Sequence, residues 1–230
     1  MHGSHRSLQC FFIARFDVIR ATAVLATRQY PARMFSHWRL LLALVAVGAG
    51  VAALVDGGAI DHPPGVLVPD EPTQRLVKQA SFTRGDYELT PLADFDLEAR
   101  VLSVEKYRTD GGARLSPIDF ALGWGPMSDS AVLAHFRITQ GGRFFSIYPD
   151  EQAIELKTAM LNASNMHLIP ADSTLEDRLE RVKPGNVVHL RGQLVSVQGP
   201  NNFTWKSSLT RTDQGNGACE LFYVESMEKR

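Results

Sequence analysis

The chain is predicted to be a β-rich α+β protein: a small closed or nearly closed barrel with one helix packed across an end, preceded by an N-terminal transmembrane helix. Three observations predict this. In DFDLEARVLSVEKY, Phe95, Leu97, Ala99 and Val101 alternate with Asp96, Glu98 and Arg100, the period of a half-buried strand. One well-marked helix, DSTLEDRLERVKPGN, is followed by three stretches of high β propensity. An apolar run, Leu40 to Val55, divides a basic N-terminal part from an acidic body.

The N-terminal part comes first. Residues 1–39 hold six arginines, no lysine and one acid, Asp17, which leaves 18 basic and 24 acidic residues in the remainder, a net of −6. An acidic body speaks against nonspecific nucleic-acid binding, which rests on neutralising phosphates with Lys and Arg. Leu40 to Val55 lies between the length of a signal-peptide apolar region and that of a full helical span. Trp38 suits a membrane interface and Arg39 the cytoplasmic side, so segment 34–55 is expected to place the acidic body outside the cytoplasm. The small residues Gly57, Gly58 and Ala59 offer a cleavage site, and cleavage there would release a periplasmic protein. Met34 opens a compact leader of its own, so residues 1–33 read as an extension that contributes little to function.

The body follows. GGAIDHPPGVLVPDEP, rich in Pro and Gly, predicts an extended tether over 56–86. Within it, Asp70, Glu71 and Pro72 open a short helix expected to run through Lys78. The domain proper is placed at 87–230. Gly123, Gly125 and Pro126 put Trp124 on a turn. Ser128 or Asp129 caps a short helix that turns Val132, Leu133 and Phe136 inward. Gln140, Gly141 and Gly142 form a turn before a strand over Arg143–Tyr148. Residues 151–161 carry no clear period, and Asn165–Ile169 is extended. In the marked helix, Ser173 and Glu176 have capping-box spacing, while Leu175, Leu179 and Val182 share a face. NVVHLRGQLVSV is a strand, with Gly192 at a bulge and His189 on an outer face. FTWKSSLTR returns beside it, and ACELFYV completes a three-strand meander.

Few residues carry a chemical signature. Cys219, at the start of the last strand, reads as a small buried residue. Cys10 lies across the apolar segment, so topology excludes an intramolecular disulfide but not an intermolecular one, and a Cys219-dependent enzyme with His167 as partner is the other alternative. His62, His135, His167 and His189 lack metal-ligand spacing, so no metal and no cofactor are expected. Asp119, Asp129, Asp213 and Glu220 supply carboxylates, but no spacing selects a catalytic pair. Trp124, Trp205, Arg211 and Asp213 are the candidate ligand-binding residues, because aromatic and arginine anchors dominate recognition surfaces. Both tryptophans filling the barrel is the competing reading.

KPGNVVHLRGQLVSV resembles a strand of OB-fold barrels. GWGPMSD, NMHLIPAD and SSLTRTDQGNGACE together are similar to a family of uncharacterised bacterial envelope proteins with one N-terminal membrane segment. The resemblance implies single-pass inner-membrane placement with a periplasmic domain, and it carries over no catalytic residue. The expected function is that of a membrane-tethered extracytoplasmic binding or assembly module. Its partners would be the membrane, through Leu40 to Val55, and a protein or envelope ligand.

Overall fold

The computed structural model describes residues 58–210 and 219–230. The leader extension, segment 34–55 and the loop bearing Arg211 and Asp213 lie outside the described residues, so what is expected of them stands as read from the sequence. No helix among the described residues is long and apolar enough to cross a membrane.

Among the described residues, ten strands and three short α-helices follow one another from Thr73 to Lys229: β1 (Thr73–Leu76), β2 (Phe82–Arg84), β3 (Tyr87–Lys106), β4 (Ile118–Gly123), α1 (Ser130–Leu133), β5 (Phe136–Gly141), β6 (Phe144–Pro149), α2 (Leu156–Leu161), β7 (Ala163–Pro170), α3 (Ser173–Glu180), β8 (Val187–Gly199), β9 (Phe203–Lys206) and β10 (Glu220–Lys229). The molecule is thus β-rich α+β. Eight strands form one sheet, and β5 and β6 form a separate hairpin.

The large sheet closes on itself. β3 pairs with β4, β4 with β7, β7 with β10, β10 with β8, and β8 again with β3. Every contact in this ring is antiparallel except β7 with β10, which is parallel. β3 can serve two neighbours because it is long and carries register shifts between Pro91 and Ala93 and between Val101 and Ser103; such bulges bend a strand and sharpen its twist. The alternation read in the sequence holds, with Phe95, Leu97, Ala99 and Val101 all buried. They meet Ile118, Phe120 and Leu122 of β4, Met166 and Leu168 of β7, Leu190 and Leu194 of β8 and Phe222 and Val224 of β10 in the main core. Gly192 sits where a Cβ would overlap the Tyr223 carbonyl, opposite the register shift between Val224 and Ser226.

α3 closes one end, and Leu175, Leu179 and Val182 belong to the same core. Its cap is Asp172, whose carboxylate accepts from Leu175 N–H at 2.8 Å, rather than Ser173. A carboxylate one residue earlier meets the helix's free donors with a full negative charge, so the helix starts there. At α1 the expected alternatives divide: Asp129 caps the helix through Ala131 N–H, while the Ser128 hydroxyl accepts from Leu67 and Val68 N–H instead.

Three further expectations are corrected. Residues 73–76 form a strand paired with Asp96–Ala93 of β3 where a short helix is predicted, because the edge of β3 supplies hydrogen-bond partners that no local signal reveals. The chain before it is not a free tether either. Ile60 N–H donates to Pro184 O at 2.8 Å, His62 Nε2 lies 2.7 Å from Gly185 O, Gly65 N–H donates to Asp129, and Val68 is buried in the main core. The last three strands are also no meander. β9 and β10 pair with successive stretches of the same edge of β8, β9 with Ser196–Gly199 and β10 with Val188–Leu194, and β10's other edge lies against β7.

Candidate functional site: a buried charge cluster on the β4–β7 face

β4 and β7 are buried on both faces. Strand alternation therefore sends Ile118, Phe120, Leu122, Met166 and Leu168 into the barrel, and Asp119, Ala121, Asn165, His167 and Ile169 outward. The outward face is covered by the chain itself. Residues 127–163 pack on it through Met127, Phe145, Ile147 and Ala159, and Leu115, Trp205 and Leu221 form a second apolar cluster beside Ile169. Between these two clusters lies a seam of charge.

Asp119 and His167 are register partners across β4 and β7, both fully buried. His167 Nδ1 stands 2.8 Å from Asp119 Oδ2, an ion-pair distance, though the two atoms are not aligned as a straight hydrogen bond. The other carboxylate oxygen of Asp119 accepts from Arg143 Nη1 at 2.8 Å. The Arg143 guanidinium also donates to both oxygens of Asp110, from Nε and Nη2, each at 2.9 Å, and from Nη1 to Ser116 Oγ at 3.4 Å. Its plane lies over the Tyr107 ring at 3.7 Å and flanks Trp205 at 5.5 Å. Trp205 in turn packs against the His167 ring at 4.7 Å between centroids. One guanidinium thus joins the 107–117 loop, the β5–β6 hairpin and the barrel wall.

The electrostatics follow from this geometry. Partial burial pushes the Asp110 carboxyl up, but the Arg143 hydrogen bonds and charge, with the Gly112 and Ala113 N–H groups, hold it below the ordinary carboxylate range. Burial, and then the charge of Asp119, raise the Tyr107 phenol, so it stays protonated and donates or accepts as a neutral group. Its oxygen accepts from the Arg143 backbone N–H at 2.9 Å.

Arg143 is not a strand residue, as its sequence position suggested. It is the second residue of a two-residue hairpin turn, with Gly142 at φ 60° and Arg143 at φ 70°. Such a turn asks for positive φ at both places and favours Asn or Gly there. The ion pairs hold an arginine in a conformation that costs a side chain roughly 1–2 kcal/mol.

The candidate residues from the sequence fall out as follows. Trp124 is on a turn but 1% exposed, filling the main core, so it offers no face to a ligand. A ring that large is better satisfied inside a barrel than on its rim. Trp205 is also buried, as the cover of His167. Cys219 is half-buried immediately before the last strand, and its carbonyl oxygen accepts from the Ser208 N–H at 3.0 Å. His62, His135 and His189 bond to Gly185 O, Asp150 and Asp96 respectively. Asp129 caps α1, and Glu220 is buried and accepts from the Ser164 hydroxyl. Among the described residues no three His, Cys, Asp or Glu are grouped to hold a metal ion.

The sequence reading missed Arg143, Asp110 and Tyr107 and did not join Asp119 to His167. Two signals were present: single ionisable residues inside the otherwise apolar strands IDFALG and NMHLIP, and an arginine where a Gly-Gly turn should continue with a small residue.

The open surface differs in character. A groove of about 500 Å³ runs between β1, β3 and β8, lined by Arg75, Asp94, Asp96, Arg191 and Glu225. Asp96 accepts from both His189 and Arg191, and Arg75 pairs with Asp94. Comparison with known proteins finds no matching family model, no similar curated protein and no similar solved structure.

Proposed function

We propose that the chain is a membrane-anchored binding or assembly module of the bacterial envelope. Leu40 to Val55 would hold it in the inner membrane, with an OB-like barrel on the periplasmic side. Supporting the barrel type is its strand order. Counting β3, β4, β7, β8 and β10 as first to fifth, the ring runs first, second, third, fifth, fourth, with third and fifth parallel and a helix between third and fourth. That is the arrangement of OB-type barrels, which take oligonucleotides and oligosaccharides on the face of strands two and three.

The observation that carries the reading is the fate of that face. Here it is β4 and β7, and it is built over by the β5–β6 hairpin, by β9 and by the Asp110–Arg143–Asp119 clamp. A strand of nucleic acid or glycan has no surface to lie on there, and the net −6 of the body disfavours a polyanion elsewhere. What stays open is the groove of alternating sign beside β1, whose chemistry fits a protein segment carrying both charges. A Cys219-dependent enzyme with His167 as its partner is the alternative, and it has less support because His167 is fully buried beneath Trp205.

Photo-crosslinking residues introduced at Arg75 or Arg191, in cells carrying the full chain, test this. A discrete protein adduct at those positions, absent with a crosslinker at the outer end of α2, supports the reading. Adducts to nucleic acid or glycan, or none from the groove, would contradict it.

A further inference from the structure

We infer that the end of the barrel formed by the strap 60–68 and the Pro184–Gly185 turn is apposed to a lipid surface, so that the module is held in one orientation on the membrane. This rests on the anchored reading above and deepens it. The first argument is reach. The apolar run ends at Val55, and Ile60 is already fixed to Pro184 O, with His62 on Gly185 O two residues later. Residues 56–59 span at most about 14 Å when fully extended. A long flexible tether would let the domain tumble, whereas this one does not let that end leave the headgroup region.

The second argument is surface chemistry. Of the four large apolar side chains exposed among the described residues, two, Ile60 and Val66, lie on this strap, next to exposed Pro63 and Pro64. The strap cannot swing away to hide them. Ser128 accepts from Leu67 and Val68 N–H, Asp129 accepts from Gly65 N–H, and a Cβ at Gly185 would overlap Ile60. Arg181 and Lys183, both exposed, lead into the same turn within reach of headgroup phosphates, while Asp61, Asp129 and Glu180 offset their charge, so the apolar side chains and the short reach carry the contact. Exposed apolar groups rimmed by charge mark an interaction surface, and the short reach makes lipid its occupant.

The opposite end is marked by the turn after β8, Pro200–Asn202. β8 has 13 residues, so that turn lies at most about 40 Å farther along the strand's path, which bends at Gly192. The test uses the full chain in liposomes that carry a headgroup quencher, with a fluorescent amino acid placed in turn at Val66 and at Asn201, both exposed. The expected result is co-flotation with the vesicles, loss of fluorescence at 66 and none at 201. Co-flotation with equal quenching at both positions, or none at 66, overturns the orientation and leaves the anchor standing. Failure to float overturns the anchor and the orientation with it.

Discussion

Arg143 holds a left-handed backbone conformation and a nearly sealed guanidinium at once, and these two facts can be separated by substitution. Arg143→Ala leaves Asp119 buried beside His167 without its cation, and removing one partner of a buried ion pair costs about 3–5 kcal/mol. Arg143→Gly loses the same charge but relieves the positive φ, so it should be less damaging than Arg143→Ala by roughly 1–2 kcal/mol. Urea unfolding measures both. If Arg143→Ala costs no more than loss of an exposed arginine such as Arg114, which is 80% exposed in its pair with Asp86, the clamp is not what holds the cover down. Asp110 adds a dependence on pH. Its folded carboxyl titrates below the ordinary value, so its contribution is present above the unfolded pKa of about 4 and is lost as pH falls through the folded value. Stability measured between neutral pH and pH 3 should fall less steeply in Arg143→Ala than in the parent chain. Equal slopes would contradict the pairing.

At the scale of elements, the strap and α3 make the sharpest predictions. Leu179 is fully buried, and Leu179→Ala should cost about 2–5 kcal/mol by leaving a cavity under the helix. Gly185 has φ 90° and faces the Ile60 backbone, so Gly185→Ala should dislodge the strap before it unfolds the barrel. Hydrogen exchange should then quicken at Ile60 while the β8 amides stay protected; unchanged exchange at Ile60 would refute the docking. These elements also show how far local pattern carries. β3, β8 and α3 were legible because each buries one face, and burial leaves a period in the residues. β1 was not, since TQRL has no apolar face and becomes a strand only because Asp94 and Phe95 offer a free edge. The parallel contact of β10 with β7 was invisible for the same reason: it joins Glu220 to Met166 across more than fifty residues, and no turn between them announces it. The clamp was hidden more deeply, because Asp119, His167 and Arg143 meet only once β4, β7 and the hairpin are stacked.

For the whole molecule, the barrel matters less as a vessel than as a rigid frame. Its interior is packed, its β4–β7 face is covered by its own chain, and its strap shortens the connection that the sequence had left long. A frame of this kind suits an anchored module that presents one groove to a neighbour. The central claim is that this frame stands outside the cytoplasm, and the chain offers a direct probe of it. All of its lysines lie between Lys78 and Lys229, and Lys78, Lys106, Lys157, Lys183, Lys206 and Lys229 are all exposed. A membrane-impermeant amine reagent added to spheroplasts, followed by mass spectrometry, should label them as fully in intact cells as after lysis. Labelling that appears only after lysis would place the barrel on the cytoplasmic side and contradict the account.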